Sequence, residues 1–287
     1  MDLSIIIVSW NVREYLLRCL SSLAKTSHRA SMEIIVVDNA STDGSLDMVR
    51  KEFPQAVVIA NDANRGFAAA NNQGIRQAKG EYLLLLNPDT EVDRGMVDSL
   101  FAWMQNHPTA GIAGCKLLNS DQTLQPSVRR FPTLAVLCLY LLKLHRLFPG
   151  LPSIKRYLAQ DFDYTKEQGV DQVMGACMMI RKKTIDEVGF LDEKFFVWFE
   201  EVDFCYRARE DGWGVWYTPA SYLIHHLSQS FGKVSAVRKQ ARFALSARHY
   251  ARKHLGFAAC TILTVLAPLS MAIGVIQYLY DFRHRKV

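Results

Sequence analysis

Four short apolar runs, each ending on a polar residue and followed by a helical pattern, constrain this chain more than any other feature. Residues 3–9, 33–37 (E-I-I-V-V), 56–59 and 82–86 (Y-L-L-L-L) are predominantly apolar and only four to seven residues long. Runs of that length and evenness read as strands buried on both faces, the habit of parallel sheets. Between them, Tyr15, Leu16, Cys19, Leu20 and Leu23 recur at helical spacing, residues 45–53 read as a helix, and a small-residue helix covers 68–78. Strand and helix in alternation predict an α/β sheet. Ligands of such sheets bind beyond the carboxyl ends of the strands. The sequence places Asp38, Asn61 and Asn87-Pro88-Asp89 there. Any one of them is an ordinary turn former or helix cap. All three in register predict a site.

The chain carries 34 Lys+Arg against 28 Asp+Glu, a net +6, which by itself suits a nucleic-acid binder. Its distribution does not. Beyond His225 there are ten Lys/Arg and a single acid, Asp281, so that stretch holds +9 and the preceding residues hold −3. The sheet region is mildly acidic and the basic excess is a tail, so no nucleic-acid partner is expected.

Residues 255–280 contain no charge. As a helix they reach about 39 Å, more than the roughly 30 Å hydrocarbon core of a bilayer. Arg252-Lys253-His254 precede the segment and Arg283-His284-Arg285-Lys286 follow it, so a transmembrane or inserted helix is expected. Pro268 at its centre leaves a kinked or re-entrant hairpin open. Seven basic residues from Lys233 to Lys253 face three after the segment, which puts the main domain at the cytoplasmic face of the membrane. A second apolar stretch, 134–142, is too short to span and reads as a core or interfacial helix. No signal peptide is read at the N-terminus, which lacks a basic n-region. The six cysteines include no C-x-x-C pair and sit mostly in apolar runs, so neither a disulfide framework nor a zinc site is expected. The resulting division is a catalytic domain over 1–230, a basic amphipathic juxtamembrane segment over 231–254, the apolar helix over 255–280 and a short basic tail over 281–287.

Several local patterns carry chemistry. Asp38 can accept hydrogen bonds from a base or ribose hydroxyl, and Asp43 can do the same or cap the next helix. Neither a G-x-G-x-x-G nor a G-x-x-x-x-G-K-[ST] pattern is present, which argues against a dinucleotide dehydrogenase or P-loop enzyme. Asn64-Arg65-Gly66 opens a helix bearing Asn71, where the helix N-terminus and Arg65 suit a diphosphate. Asp89 at a strand end suits a divalent cation bridging phosphate oxygens. Glu200, Glu201 and Asp203 form the densest acidic cluster, flanked by Phe195, Phe196, Trp198 and Phe199. Carboxylates crowded in apolar surroundings repel, which raises one of them toward the range of a general base. His225 closes another apolar run and reads as a core histidine or, beside a metal carboxylate, a ligand.

Taken together, S-I-I-I-V-S-W-N, V-V-D-N-A-S-T-D-G-S, N-R-G-F-A-A-A-N-N, L-L-N-P-D, G-A-C-M-M-I-R and F-F-V-W-F-E-E-V-D-F-C-Y-R resemble the family 2 glycosyltransferases of GT-A fold. The subgroup is that of bacterial rhamnosyltransferase-like enzymes of surface polysaccharide assembly, and the resemblance covers roughly residues 3–255. It implies a Rossmann-like mixed α/β sheet and a nucleotide-diphosphate sugar donor, dTDP-rhamnose being one candidate. It implies an acceptor hydroxyl on a lipid-linked saccharide or polysaccharide. Asp38, Asp43, Asn64, Arg65, Gly66, Asn71, Asn87 and Asp89 then match donor-binding positions. Asp89 and His225 match the positions that hold Mg2+ or Mn2+, with Asn87 standing where many relatives have a further Asp. Glu201 matches the catalytic base of an inverting single displacement, with Glu200 as runner-up. Gly175, Ala176, Cys177 and Asp203 match the acceptor side.

Two other readings stay open on sequence. A sugar-nucleotide nucleotidyltransferase shares the α/β sheet, but would want a Gly-rich, lysine-bearing loop after the first strand, where this chain has Ser9-Trp10-Asn11-Val12-Arg13. A membrane-tethered, non-catalytic assembly partner is favoured by Asn87 alone. A homo-oligomer is neither required nor excluded.

Overall fold

The computed structural model describes residues 1–25, 30–227, 232 and 234–284. Lys233, first of the expected basic collar, and Arg285 and Lys286 of the tail lie outside the described residues.

The chain begins with β1 (Leu3–Ser9), α1 (Arg13–Ala24), β2 (Met32–Asp38), α2 (Ser45–Glu52), β3 (Val57–Ala60), α3 (Phe67–Gln77) and β4 (Tyr82–Leu86). β1 lies between β2 and β4, with β3 outside β2, and all four strands are parallel. Leu3, Ile5, Ile6 and Ile7 are wholly buried, because helices cover both faces of β1. Full burial of each such side chain contributes roughly 1.5–3 kcal/mol. On one face, α3 comes close because its inward positions are Ala68, Ala70 and Gly74. A Cβ on Gly74 would stand 2.5 Å from Ile6 Cγ2.

The path then runs through β5 (Thr90–Val92), α4 (Met96–Asn106), β6 (Ala110–Leu118), β7 (Leu124–Gln125) and β8 (Val128–Arg129). Next come α5 (Leu134–Leu141), α6 (Leu144–Leu147), α7 (Pro152–Tyr157), β9 (Gln168–Gly169), β10 (Gln172–Val173) and β11 (Cys177–Arg181). α8 (Lys182–Val188), α9 (Glu200–Glu210) and β12 (Gly214–His225) complete the sheet region. β11 enters antiparallel between β4 and β6, and β12 runs parallel to β6. The ten-stranded sheet is therefore mixed, in the order β3-β2-β1-β4-β11-β6-β12-β5, with β7 beside β6 and β9 beside β12. β2 and β4 leave β1 in opposite directions, which opens a crevice at the carboxyl ends of these strands.

After the sheet come α10 (Ala236–His254) and α11 (Phe257–His284). α11 is one helix running through Pro268, so the hairpin alternative for 255–280 does not hold. The apolar stretch at 134–142 is α5, whose Leu137 and Leu141 pack with Ala247 and Tyr250 of α10 and Leu263 of α11. Gln240 knots the three helices: its Nε2 donates to Leu141 O (2.8 Å) and reaches Ser270 Oγ. This helical layer also buries Phe199 and Val202, so it is docked on the start of α9.

Candidate active site

A cavity of about 340 Å3 lies at the crevice. Val8 and Trp10 enter it from the end of β1, Asn39 from the end of β2, and Asn87, Pro88 and Asp89 from the end of β4. Asn64, Gly66 and Phe67 contribute the start of α3, and Gly175 and Ala176 the approach to β11. Glu200 and Glu201 open α9 on the far wall, His225 closes β12, and Arg242 comes from α10.

Asn39, which the sequence reading missed, organises the α3 side. Its Nδ2 donates to Asn64 Oδ1 (3.2 Å) and Gly66 O (3.1 Å), while its Oδ1 accepts from Arg65 N (3.0 Å) and Asn61 Nδ2 (3.1 Å). The position next to Asp38 was its only signal. Asp38 is buried at the end of β2, where its Oδ2 accepts from Ser41 N (2.9 Å) and its Oδ1 has no partner among the described residues.

On the opposite side, Asp89 Oδ1 and His225 Nε2 stand 3.4 Å apart, and Asn87 Nδ2 is 3.4 Å from the same ring nitrogen. Gln125 fixes the imidazole. Its amide nitrogen donates to Asn119 Oδ1 and His225 O, which leaves its Oε1 to accept from His225 Nδ1 at 2.7 Å. With Nδ1 protonated, the Nε2 lone pair is directed at a carboxylate oxygen. Two acceptors facing each other suit a cation between them, and one carboxylate with one imidazole is a mixed oxygen and nitrogen donor set that phosphate oxygens can complete. Among the described residues no three or more His, Cys, Asp or Glu side chains are grouped so as to hold a metal ion by themselves.

The far wall is strained into place. Trp198 (φ 64°) and Phe199 (φ 73°) both hold left-handed backbone just before α9, a conformation disfavoured for bulky residues and kept only where packing enforces it. The strained turn presents Glu200 and Glu201 from the first turn of the helix. Burial raises the carboxyl of Glu201, and burial plus the neighbouring Glu201 charge raises that of Glu200 further. The Oε2 atoms of both are buried with no partner among the described residues. A second cavity, about 270 Å3, shares Met174, Trp198 and Glu201 with the first, and Arg129, Tyr140 and Tyr157 line its other side. Glu201 thus forms a wall of both.

Six expected contact residues line neither cavity, Asp38 among them. Asp43 fixes helix starts, accepting from Arg13 N (2.9 Å) and Ser45 N (3.1 Å). Arg65 points outward, its side chain 52% exposed and paired with Asp62. Asn71 is turned into α3, donating to Phe67 O. Cys177 is buried in β11 with its Sγ 3.4 Å from that of Cys115. Asp203 requires a correction: it is fully buried and bound by Arg207 (2.9 Å), Lys253 (2.7 Å) and His254 (2.7 Å), so it ties α9 to α10 instead of facing an acceptor. The i, i+4 relation to Arg207 was legible in sequence, whereas the partners from α10 were not.

This arrangement defines a GT-A sugar-transferase fold: a mixed α/β sheet with polar groups at its switch point and carboxylates on a facing helix. Solved structures agree at the level of fold. A mannosyltransferase from Pyrobaculum calidifontis in complex with GDP-Man and Mn2+ superposes with TM-score 0.60 at 17% identity, covering 96% of this chain and 73% of that one. GalNAc-T7 with UDP, GalNAc and Mn2+ gives 0.60 at 18% identity, over 88% of this chain and 50% of that one. The family model described as Glycosyl transferase family 2 matches residues 4–189, and the chain belongs to that family. Among its relatives, the N-acetylglucosaminyl-diphospho-decaprenol L-rhamnosyltransferase of Mycobacterium tuberculosis is 27% identical over 266 residues, 89% of this chain and 86% of that protein. A low-salt glycan biosynthesis hexosyltransferase of Haloferax volcanii is 29% identical over 78% of this chain and 67% of its own length.

Proposed function

We propose that this glycosyltransferase moves a hexose or deoxyhexose from a nucleotide-diphosphate sugar to a hydroxyl of a lipid-linked saccharide, inverting the anomeric carbon. The observation that carries the reading is Glu201 standing between two cavities. The donor occupies the cavity at the strand ends, with Asp38 and the Asn39–Asn64 network toward the nucleoside. The acceptor saccharide enters the aromatic cavity beside Trp198 and Tyr157. Glu201 Oε2 takes the proton of the acceptor hydroxyl as that oxygen attacks C1, and the bond from C1 to the diphosphate breaks with its electron pair leaving on the diphosphate. Asp89 and His225 would hold a divalent cation, which when bound neutralises charge on the diphosphate.

Two observations support a lipid-linked acceptor and a membrane site. The mycobacterial relative is named for a sugar acceptor carried on decaprenyl diphosphate. Phe257–Ile276 is long and apolar enough to cross a membrane, and the basic face of α10 adjoins it. Following the positive-inside rule, the sheet then lies at the cytoplasmic face.

The test uses the full chain in detergent with Mg2+ or Mn2+. A panel of nucleotide sugars, dTDP-rhamnose first, is offered with N-acetylglucosaminyl-diphospho-polyprenol, and the product is read by mass. One donor should yield an acceptor heavier by one sugar and free nucleoside diphosphate. Absence of transfer from every donor, with the nucleotides bound normally, would refute the acceptor assignment.

A further inference from the structure

Arg65, the cation expected to meet the donor diphosphate, points to solvent. The cavity contains another. Arg242 reaches it from α10, more than forty residues beyond the matched family segment, which ends at residue 189. The geometry points to Arg242 as the residue of this chain that holds the departing diphosphate, so that α10 completes the active site from outside the sheet.

Three features support this assignment. Its guanidinium carbon lies 4.0 Å from the centroid of the Phe196 ring, so the charged plane is stacked and held. That platform is rigid. Phe196 O accepts from Phe67 N (2.7 Å) at the start of α3, and Gly66 leaves no room between them, since a Cβ there would lie 2.5 Å from Phe196 O. Second, the guanidinium makes no ion pair or hydrogen bond with any described residue, although acids line the same cavity. Burial and then the nearby charge of Arg238 press against its protonated form, so a partly buried cation stands there in need of an anion. Third, α10 is bolted to the elements that carry the chemistry. Ser246 Oγ donates to Val197 O (2.9 Å), His249 Nε2 meets Asp192 (2.8 Å), and Lys253 and His254 grip Asp203 on α9. An arginine on a helix held at four points has a fixed address in the cavity.

The chemistry follows from charge. As the bond between C1 and the diphosphate oxygen breaks, that oxygen gains negative charge. The fork of N–H groups on Arg242 matches two phosphate oxygens and strengthens as the charge develops. A monophosphate offers one fewer phosphoryl group to such a fork.

This inference rests on the donor reading above, and one experiment separates the two. Full-length protein in detergent with MgCl2 is titrated calorimetrically with dTDP, UDP and GDP and with the matching monophosphates. Wild type should bind one diphosphate more tightly than its monophosphate. Arg242→Gln should lose roughly 10- to 100-fold in affinity for that diphosphate and about 3-fold or less for the monophosphate. Arg242→Lys should lose less, again on the diphosphate alone, because its ammonium lacks the fork. Undiminished diphosphate binding in Arg242→Gln, or an equal loss on both nucleotides, overturns the assignment. If the glutamine variant does not fold, an undiminished diphosphate preference in Arg242→Lys overturns it. Wild type that binds no nucleoside diphosphate would instead refute the donor reading.

Discussion

His254 Nε2 and Asp203 Oδ1 meet at 2.7 Å, joining the last turn of α10 to the first turn of α9, two residues from Glu201. Asp203 is wholly buried and also binds Lys253 and Arg207. Breaking a buried charge network by removing one member costs about 3 kcal/mol or more, so Asp203→Asn should lower the thermal midpoint by roughly 5–10 °C. Burial alone pushes this carboxyl up, but the contacts from His254, Lys253 and Arg207 outweigh it and hold it below the ordinary range. A folded value below the unfolded one means that the contribution is present above about pH 4 and drains as pH falls through the folded value. Thermal scans between about pH 5 and pH 3 should therefore show a shallower loss of stability in Asp203→Asn than in wild type. Parallel losses would place the acid sensitivity in other groups.

The Glu200–Glu201 pair divides its roles by charge. Both are raised by burial, Glu200 the further, so Glu201 gives up its proton more readily than Glu200 and is the one assigned as the base. Glu201→Gln should reduce turnover by about 1,000-fold or more with nucleotide binding retained. Glu200→Gln imitates a protonated carboxyl and should keep activity within about 10-fold of wild type. Because the ionised form of Glu201 is the active one, kcat/KM should rise with pH through a value above the ordinary glutamate range near 4.3. That rise should persist in Glu200→Gln. If it vanishes there instead, Glu200 is the base.

His225 Nε2 faces Asp89 with Asn87 beside it and Gln125 holding the opposite ring nitrogen, and a cation there should be needed for turnover. Chelation with EDTA should abolish transfer, and Mn2+ or Mg2+ should restore it. Gln125→Leu frees the imidazole to turn, and loss of such an orienting partner costs roughly 10- to 100-fold in metal affinity. The concentration of Mn2+ giving half-maximal activity should rise accordingly. Full activity in EDTA would remove the metal from the site.

Gly66 has φ +88° and sits against Phe196 O, so an alanine meets both backbone strain and a contact of 2.5 Å. Gly66→Ala should cost about 2–4 kcal/mol and loosen the Asn39–Asn64 network it adjoins, read as a lower thermal midpoint and weaker nucleoside diphosphate binding. A wild-type midpoint would mean that the Phe196 loop yields freely.

Much of the donor half was legible in sequence because its determinants are local. The first four strands carry their apolar pattern and their terminal polar residues in consecutive positions, so Asp89 and Asn64 could be assigned to strand end and helix start. The rest depends on contacts distant in sequence. Antiparallel β11 between β4 and β6 leaves no local trace, so the early strands alone suggest a purely parallel sheet. Arg65 and Arg242 were both visible as basic residues, but only the docking of α10 onto Phe196 decides which one faces the cavity. Asp203 read as a further acid of the catalytic cluster until its partners, fifty residues downstream, came into place.

α11 gives the last prediction. Ala259, Leu263 and Ser270 pack inward against α5 and α10, yet only 22% of the most apolar window is buried. Its outward residues are bare: Phe257 is 71% exposed, Val265 72%, Leu269 54% and Ile276 66%. An apolar face of that length suits an apolar solvent or a partner surface, and a bilayer is the cover to test. The full chain should therefore sediment with membranes and resist extraction by high salt, which strips proteins held by charge alone. Deleting α11 is a poor test, since it also uncovers Leu141 and Tyr250. Val265→Glu, Leu269→Lys and Ile276→Glu together change only outward positions and leave the inward packing intact. That variant should become soluble without detergent, or be released by high salt, while still binding nucleoside diphosphate. If it stays membrane-bound through a high-salt wash, the attachment lies in α10 or elsewhere, and the exposed face of α11 covers something other than lipid.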